Sequence, residues 1–311
     1  MQQRLYPFAF LMAAGLLIYF GRGLLQFSTL ETWGLTFAGT TAAGVLGMAL
    51  YRVQLELRAS RHELARRQAE LNFALEVQRA LFPREFPADS GLEFSGVCVP
   101  ARGISGDYYD VLQLPDGRLV FAIADISGKG ISAAILMSSL QAVLRTLAGA
   151  GRSPDEVCSR LNLHLHEVTA GGRFATICYA EWNPAQRRLR YINAGHNAPI
   201  LLSSAPSRRL DPGGPPLGLF PDCKLVVGEV ILQPGNLIVL YSDGLTEAGI
   251  DRGSEFGESQ LEALVAAHAD RPLAEIQQRV LAAVRQWAGD ELEDDLTLLL
   301  VRATGPHKEA V

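Results

Sequence analysis

Cysteine is scarce in this chain, and its distribution excludes more than its number does. The four residues, Cys98, Cys158, Cys178 and Cys223, lie far apart and form no CxxC pair. That spacing fits neither a zinc site nor a disulfide framework, so they read as small apolar side chains in a reducing compartment. Positive charge is also short: 28 Lys and Arg against 33 Asp and Glu leave a net charge of −5. No global basic surface therefore argues for nucleic acid as a partner. No internal repeat is visible. A phosphate-binding loop is missing too. Gly128-Lys129-Gly130 resembles part of one, but that motif needs glycine at position 123 and Ser or Thr at 130, where the chain has Ile123 and Gly130.

What the chain does have is unevenly placed. Residues 7–20 are apolar, and Trp33–Tyr51 carries no charge. A helix of about 20 apolar residues spans a bilayer, so Trp33–Tyr51 is long enough. The first segment reaches that length only by extending past Arg22 towards Phe27, with the arginine snorkelling at the interface. A cleaved signal peptide is the competing reading of it, but no small-x-small cleavage site precedes Arg22. Tyr6, Tyr19, Trp33 and Tyr51 suit membrane interfaces. Arg4 before the first span, and Arg52, Arg58, Arg61, Arg66 and Arg67 after the second, place both ends in the cytoplasm. Gly39, Ala43 and Gly47 repeat at a spacing that lets helices approach closely, although ordinary small-residue content accounts for it equally simply.

Residues 52–82 are polar, helix-prone and free of Gly and Pro until Pro83. Leu57, Leu64 and Leu71 recur at heptad spacing, followed by Leu75, Gln78 and Phe82. Ser60 and Arg67 spoil the intervening positions. The stripe predicts either a homodimer through 52–83 or one helix packed on the next domain. Past residue 90 the texture becomes β-like. Tyr108–Leu114 and Arg118–Ala124 flank Pro115-Asp116-Gly117 as a hairpin, and Phe174–Trp182 with Arg188–Ala194 form another. Ile200–Leu202, Val226–Leu232, Asn236–Tyr241 and Leu296–Val301 read as further strands. Helices are predicted over Ile131–Leu147, from Ser153-Pro154 to Val168, and over Ser259–His268 and Leu273–Trp287. Antiparallel strands with separate helix pairs predict an α+β sandwich rather than an alternating βαβ fold.

Four acidic stretches abut these strands: GDYYD at 106–110, the Asp125 end of LVFAIADISGKG, YSDGLTEA at 241–248 and DDLT at 294–297. Asp125 and Asp243 follow apolar runs, whereas Asp107 and Asp294 precede them. Asp beside Gly is ordinary turn chemistry for any one of them. If the strands pack face to face, however, all four carboxylates converge on one rim. They then repel one another and protonate unless a cation is present. Hard oxygen ligands without His or Cys favour Mg2+ or Mn2+ over zinc.

The ordered set SGDYYD, IADISGKG, NAGHNAP, LYSDGLTEA and DDLTLLLV resembles the metal-dependent serine/threonine protein phosphatases (the PPM family). It is most similar to their SpoIIE-type bacterial branch, which regulates sigma-factor partner switching. The resemblance covers roughly residues 78–303 and includes EVQRALFP at 76–83. It implies a PPM-type antiparallel β-sandwich flanked by helix pairs and two divalent cations, Mn2+ or Mg2+. It also implies that Asp125 bridges the two ions and that the Ile126 carbonyl is a further ligand. Asp243 and Asp294 complete one metal site, and Asp107 either ligates the second ion or orients its water. Asp125 and Asp107 are thus the catalytic candidates. Asp295 and Asp110 are as readily turn residues, His196 as readily a hydrogen-bonded loop residue. The position of the eukaryotic acid histidine is Ser127 here. No arginine matches the eukaryotic phosphate-binding arginine, which leaves Arg102 or Lys129 to steer phosphate.

The expected organisation is a membrane hairpin over 1–51, a helical linker over 52–83, a phosphatase domain over 84–303 and a flexible tail over 304–311. The expected protein is a multi-pass protein of the bacterial cytoplasmic membrane with its catalytic domain in the cytoplasm. By the resemblance its substrate is a phosphorylated STAS-type antagonist. The rival readings are a non-catalytic membrane scaffold of the same fold and a hydrolase of small phosphoesters.

Overall fold

The computed structural model describes residues 12, 15, 16, 19, 20 and 29–305, apart from 89, 102, 290 and 291. Two compact units divide the chain, Met1–Glu70 and Leu71–Val311. Helix α1 (Thr29–Arg79, 51 residues) runs unbroken past Tyr51, so the second apolar span and the polar linker are one continuous helix. No Gly or Pro interrupts the chain from 48 to 82, and the helix stops just short of Pro83, which lacks the amide donor a helix needs. Within Leu30–Arg79 an apolar stretch of mean hydropathy 1.3, none of it buried, is long enough to cross a bilayer. Most of the first apolar segment, 7–20, falls outside the described residues. On the polar part of α1, Leu57 and Leu64 are exposed. The second unit begins at Leu71, earlier than the expected 84. The last turns of α1 supply Gln78, and Leu81 and Phe82 follow it, all three held against this unit.

Two sheets, antiparallel except for the short parallel β5–β8 pair, form its centre. The first runs in the order β1 (Leu92–Val99), β11 (Leu296–Ala303), β10 (Leu237–Tyr241), β6 (Ile200–Leu202) and β7 (Arg208–Arg209). The second runs β2 (Asp107–Gln113), β3 (Leu119–Ile126), β4 (Ala175–Asn183), β5 (Arg188–Ala194) and β8 (Gly213–Gly214), with β9 (Gly228–Ile231) also on β5. Both expected hairpins are present, with Asp107 opposite Asp125 in the first and Ile177 opposite Ala194 in the second. The expected strand at Val226–Leu232 is shorter, and the two-residue strands β7 and β8 have no sequence signature. They are too short for alternation to register.

Side-chain alternation assigns the layers. Leu119, Phe121 and Ile123 of β3 meet Ile238, Leu240, Leu299 and Val301 of the other sheet between the two sheets. The alternate residues Val120, Ala122 and Ala124 face a helix pair, α2 (Ile131–Gly149) and α3 (Pro154–Thr169), through Met137, Leu140, Leu144 and Leu161. On the opposite side Val239, Leu298 and Leu300 pack on α5 (Glu258–Ala267) and α6 (Leu273–Ala288), the one-turn helix α4 (Asp243–Thr246) lying before them. The central strands are therefore buried on both faces, which is why they read as continuous apolar runs and not as half-polar ones. Pro154 opens α3 at its first turn, and Glu156 reaches back to the Ser153 amide at 3.2 Å, closing the helix start.

The narrow β5–β8 contact sets one strict requirement. A Cβ on Gly213 would stand 1.7 Å from the Asn193 carbonyl oxygen, which is backbone and cannot swing aside. Gly213→Ala is expected to cost about 1–3 kcal/mol through this overpacking. Chemical denaturation of the variant beside the parent chain checks it.

Candidate metal centre

Each acidic candidate stands at an edge of the sandwich where a strand begins or ends. Asp107 opens β2 and Asp125 lies one residue before the end of β3; the two are register partners, so they point from neighbouring positions of one sheet. Asp243 opens α4 directly behind β10, and Asp294 precedes β11 in the other sheet. The β10–β11 pairing continues into this edge: the Ser242 amide donates to Thr297 O at 3.0 Å, and the Thr297 amide to Ser242 Oγ at 2.9 Å. The four expected carboxylates thus meet on one rim, two from each sheet.

Close backbone approach makes the meeting possible. A Cβ on Gly244 would lie 2.2 Å from Asp295 O, so only glycine lets α4 sit against the Asp294–Asp295 segment. A Cβ on Gly106 would lie 3.2 Å from Ile126 O and 3.6 Å from Asp125 Oδ1, so this glycine leaves the Ile126 carbonyl and Asp125 uncrowded. Asp295 ties the two sheets at this edge, its Oδ1 accepting from the Ala101 amide at 2.9 Å and its Oδ2 from the Gly106 amide at 2.8 Å. Its place is structural. Asp110 is structural as well: Arg145 of α2 grips it with two hydrogen bonds of 2.7 and 2.9 Å, and the Tyr108 hydroxyl donates to it.

The remaining carboxylates disturb one another. Burial raises the Asp107 carboxyl well above its ordinary range, and the charge of Asp125 raises it further. The hydroxyls of Thr297 and Ser242 oppose this, yet Asp107 Oδ2 is buried without a hydrogen-bond partner. Asp125 is pushed up to about 7, first by burial and then by the charges of Asp243, Asp294 and Asp295. Asp243 is raised by burial and by Asp294, with the Gly244 amide and Lys129 pulling it back. Lys129 places its ammonium 2.6 Å from Asp294 Oδ2. Among the described residues, no three Asp, Glu, His or Cys side chains are grouped closely enough to hold a metal ion. The orphaned oxygen of Asp107 and the raised carboxyls of Asp107, Asp125 and Asp243 are nonetheless what a divalent cation would relieve. The donor set fits hard divalent ions.

His196 lies behind the rim, hydrogen-bonded to Thr176, the register partner of Asp125. It is buried, its Nδ1 is 2.8 Å from Thr176 Oγ1, and its backbone exchanges two hydrogen bonds with the Asn193 side chain. Burial lowers its pKa to about 4, so the imidazole is neutral at physiological pH and holds a loop. Arg102 lies outside the described residues. Residues that the sequence did not single out are Gly106, Gly244, Ser242, Thr297 and Arg173. The SDG and SGD motifs contain three of them, but nothing local says which backbone they approach.

The elevation of Asp125 has a measurable sign. Folding lifts this carboxyl from 3.8 to about 7, so the native chain holds the proton more tightly than the unfolded chain. Its stabilising contribution is therefore complete below pH 3.8 and is lost as the pH rises through about 7. In chelator at pH 8, Asp125→Asn is expected to melt about 2–4 °C above the parent chain, equivalent to about 1 kcal/mol. The difference is expected to vanish near pH 4, and a thermal melt series across that range checks it.

Comparison with known proteins agrees with this geometry. The family model for stage II sporulation protein E (SpoIIE) matches residues 115–304. The phosphoserine phosphatase RsbU of Bacillus subtilis is 30% identical over 258 residues, covering 82% of this chain and 75% of RsbU. The RsbU and RsbW domains of Rv1364c from Mycobacterium tuberculosis superpose with a TM-score of 0.62 at 28% identity, covering 70% of this chain and 61% of that one. The SiaA-PP2C domain of Pseudomonas aeruginosa, 21% identical, shares the fold with a TM-score of 0.68 over 77% of this chain and 98% of that domain. With its acidic rim, its two-sheet sandwich and these relatives, the chain belongs to the SpoIIE branch of the PP2C-type (PPM) serine/threonine phosphatases.

Proposed function

We propose that this phosphatase is membrane-tethered and hydrolyses phosphoserine or phosphothreonine on a partner-switching protein, a STAS-type antagonist of an anti-sigma factor. The observation that carries the catalytic part is the convergence of Asp107 and Asp125 from one sheet with Asp243 and Asp294 from the other. In this reading Asp125, the Ile126 carbonyl, Asp243, Asp294 and Asp107 would hold two divalent cations, Mn2+ or Mg2+. Bound there, the cations supply water activation and charge neutralisation at the phosphoryl group. Asp107 accepts a hydrogen bond from the attacking water or ligates directly, and its buried, unpartnered Oδ2 is free to do either. Lys129, 2.6 Å from Asp294 Oδ2, would share that carboxylate with a bound cation or yield it. In this reading water is the acceptor of the phosphoryl group, and no covalent phosphoenzyme forms.

The tether rests on the exposed apolar stretch of α1 and the arginines that follow it, which favour a cytoplasmic catalytic unit. The exposed Leu57 and Leu64 stripe suits a second copy of α1, giving a homodimer through 52–83. The substrate class rests on the likeness to RsbU, which is named a phosphoserine phosphatase.

The full chain in detergent, given Mn2+, is expected to hydrolyse an aryl phosphate and a phosphoserine protein, and to stop in chelator. Asp125→Asn is expected to lose at least roughly 100-fold in kcat while keeping its circular dichroism spectrum. Turnover that survives both chelator and this substitution would sink the reading. Tight binding of the phosphoprotein without turnover would favour a scaffold, and nucleotide turnover without phosphoprotein turnover would favour a small-phosphoester hydrolase.

A further inference from the structure

Arg173 lies between α3 and β4 and is stitched to the turn that follows Asp125. The Ser127 amide donates to Phe174 O at 2.9 Å, and the Phe174 amide donates to Ser127 Oγ at 2.9 Å. This double link joins the segment carrying Arg173 to Ser127, the residue just beyond Asp125 and Ile126. The β3–β4 register continues it, placing Asp125 opposite Thr176. The guanidinium rests on Gly128, which has φ +100°; a Cβ there would lie 3.0 Å from Nη1 and 3.4 Å from Cζ. Glycine at 128 thus both makes the turn and leaves the guanidinium its seat.

The pairing of Arg173 is what sets it apart. Lys129 is held by Asp294, and Arg145 by Asp110. Arg173 makes one long hydrogen bond, from Nη1 to Ser127 O at 3.5 Å, and among the described residues no carboxylate lies within ion-pair distance of it. A guanidinium carries five N–H donors in a planar fork suited to two oxygens of one phosphoryl group. Here most of those donors are uncommitted, half-buried, and anchored beside the turn that leaves Asp125.

We infer that Arg173 binds the non-bridging oxygens of the phosphoryl group presented to the acidic rim, in the substrate monoester and in the product phosphate alike. The assignment rests on the phosphatase reading above and adds the residue that orients the group under attack. The rim carboxylates and their cations leave a phosphate dianion with oxygens directed away from the ions, and a fixed guanidinium on the Ser127–Gly128 side meets them. Lys129 serves less well for this task, since its ammonium sits on Asp294 and offers a point charge without the bidentate fork.

The test compares the full-length chain with Arg173→Gln and Arg173→Lys in Mn2+. Readouts are KM and kcat for an aryl phosphate and a phosphoserine protein, inhibition by inorganic phosphate, Mn2+ binding by calorimetry, and the thermal midpoint. Arg173→Gln is expected to weaken inhibition by phosphate about 10- to 100-fold and to raise KM for both substrates, as loss of a charged hydrogen-bonding pair requires. Mn2+ affinity and thermal midpoint are expected to stay unchanged, which a merely structural role would not allow. Arg173→Lys is expected to recover part of the phosphate affinity, and it carries the same test if the glutamine variant does not fold. Unchanged phosphate inhibition in an active variant overturns the assignment alone. Loss confined to the phosphoprotein overturns it too, because Arg173 would then read the protein part of the substrate. A parent chain that hydrolyses neither ester overturns the phosphatase reading and this assignment with it.

Discussion

Carboxylates brought together at a half-buried rim repel one another, and that repulsion governs this protein. Two packed sheets place Asp107, Asp125 and Asp243 where water screens them poorly, with the part-exposed Asp294 beside them. Unopposed, this charge works against the fold, and Lys129 offsets part of it at Asp294. Divalent ions held there, as proposed above, would make the same arrangement favourable. The chemistry and the local instability therefore have one origin, a common feature of sites where carboxylate environments are set by function.

The scaffold around this rim is built to resist the repulsion. Asp295 carries two backbone amides of the 101–106 segment across to the other sheet, and Ser242 and Thr297 lock β10 to β11 just behind Asp243. Gly106 and Gly244 allow backbone to come where any side chain would wedge the sheets apart. Asp110 shows the contrasting case within the same motif. Three residues from Asp107, it is buried to a similar degree but fully paired with Arg145, and it serves to fasten α2 to β2. Asp110 is held by its own cation, Asp294 by Lys129 and Asp295 by backbone amides, whereas Asp107, Asp125 and Asp243 make no salt bridge among the described residues.

Positive charge is distributed with the same economy. Lys129 pairs with Asp294, and Arg173 rests on Gly128, so the two cations near the turn after Asp125 differ in geometry and commitment. The lysine is paired, and the arginine makes no salt bridge among the described residues. His196, despite its prominent motif, is a neutral imidazole inside the loop that it helps to hold.

What the sequence by itself determined is local. Both hairpins, the four principal helices of the second unit and the acidic stretches at strand ends follow from apolar alternation, helical spacing and turn chemistry, all of which act over a few residues. The ordered motifs were legible enough to indicate the fold and the site together. The continuity of α1 past Tyr51 was legible in the absence of Gly and Pro, although its change from apolar to polar suggested two segments. The tertiary structure alone decided which aspartates meet and which are already partnered. It set Asp107 and Asp125 against Asp243 and Asp294, gave Asp110 to Arg145, turned Asp295 to the backbone, buried His196 and seated Arg173 on Gly128. These outcomes depend on burial and on neighbours far away along the chain. A carboxylate's role is fixed by the charges and donors that packing brings to it, and no short pattern of residues carries that information.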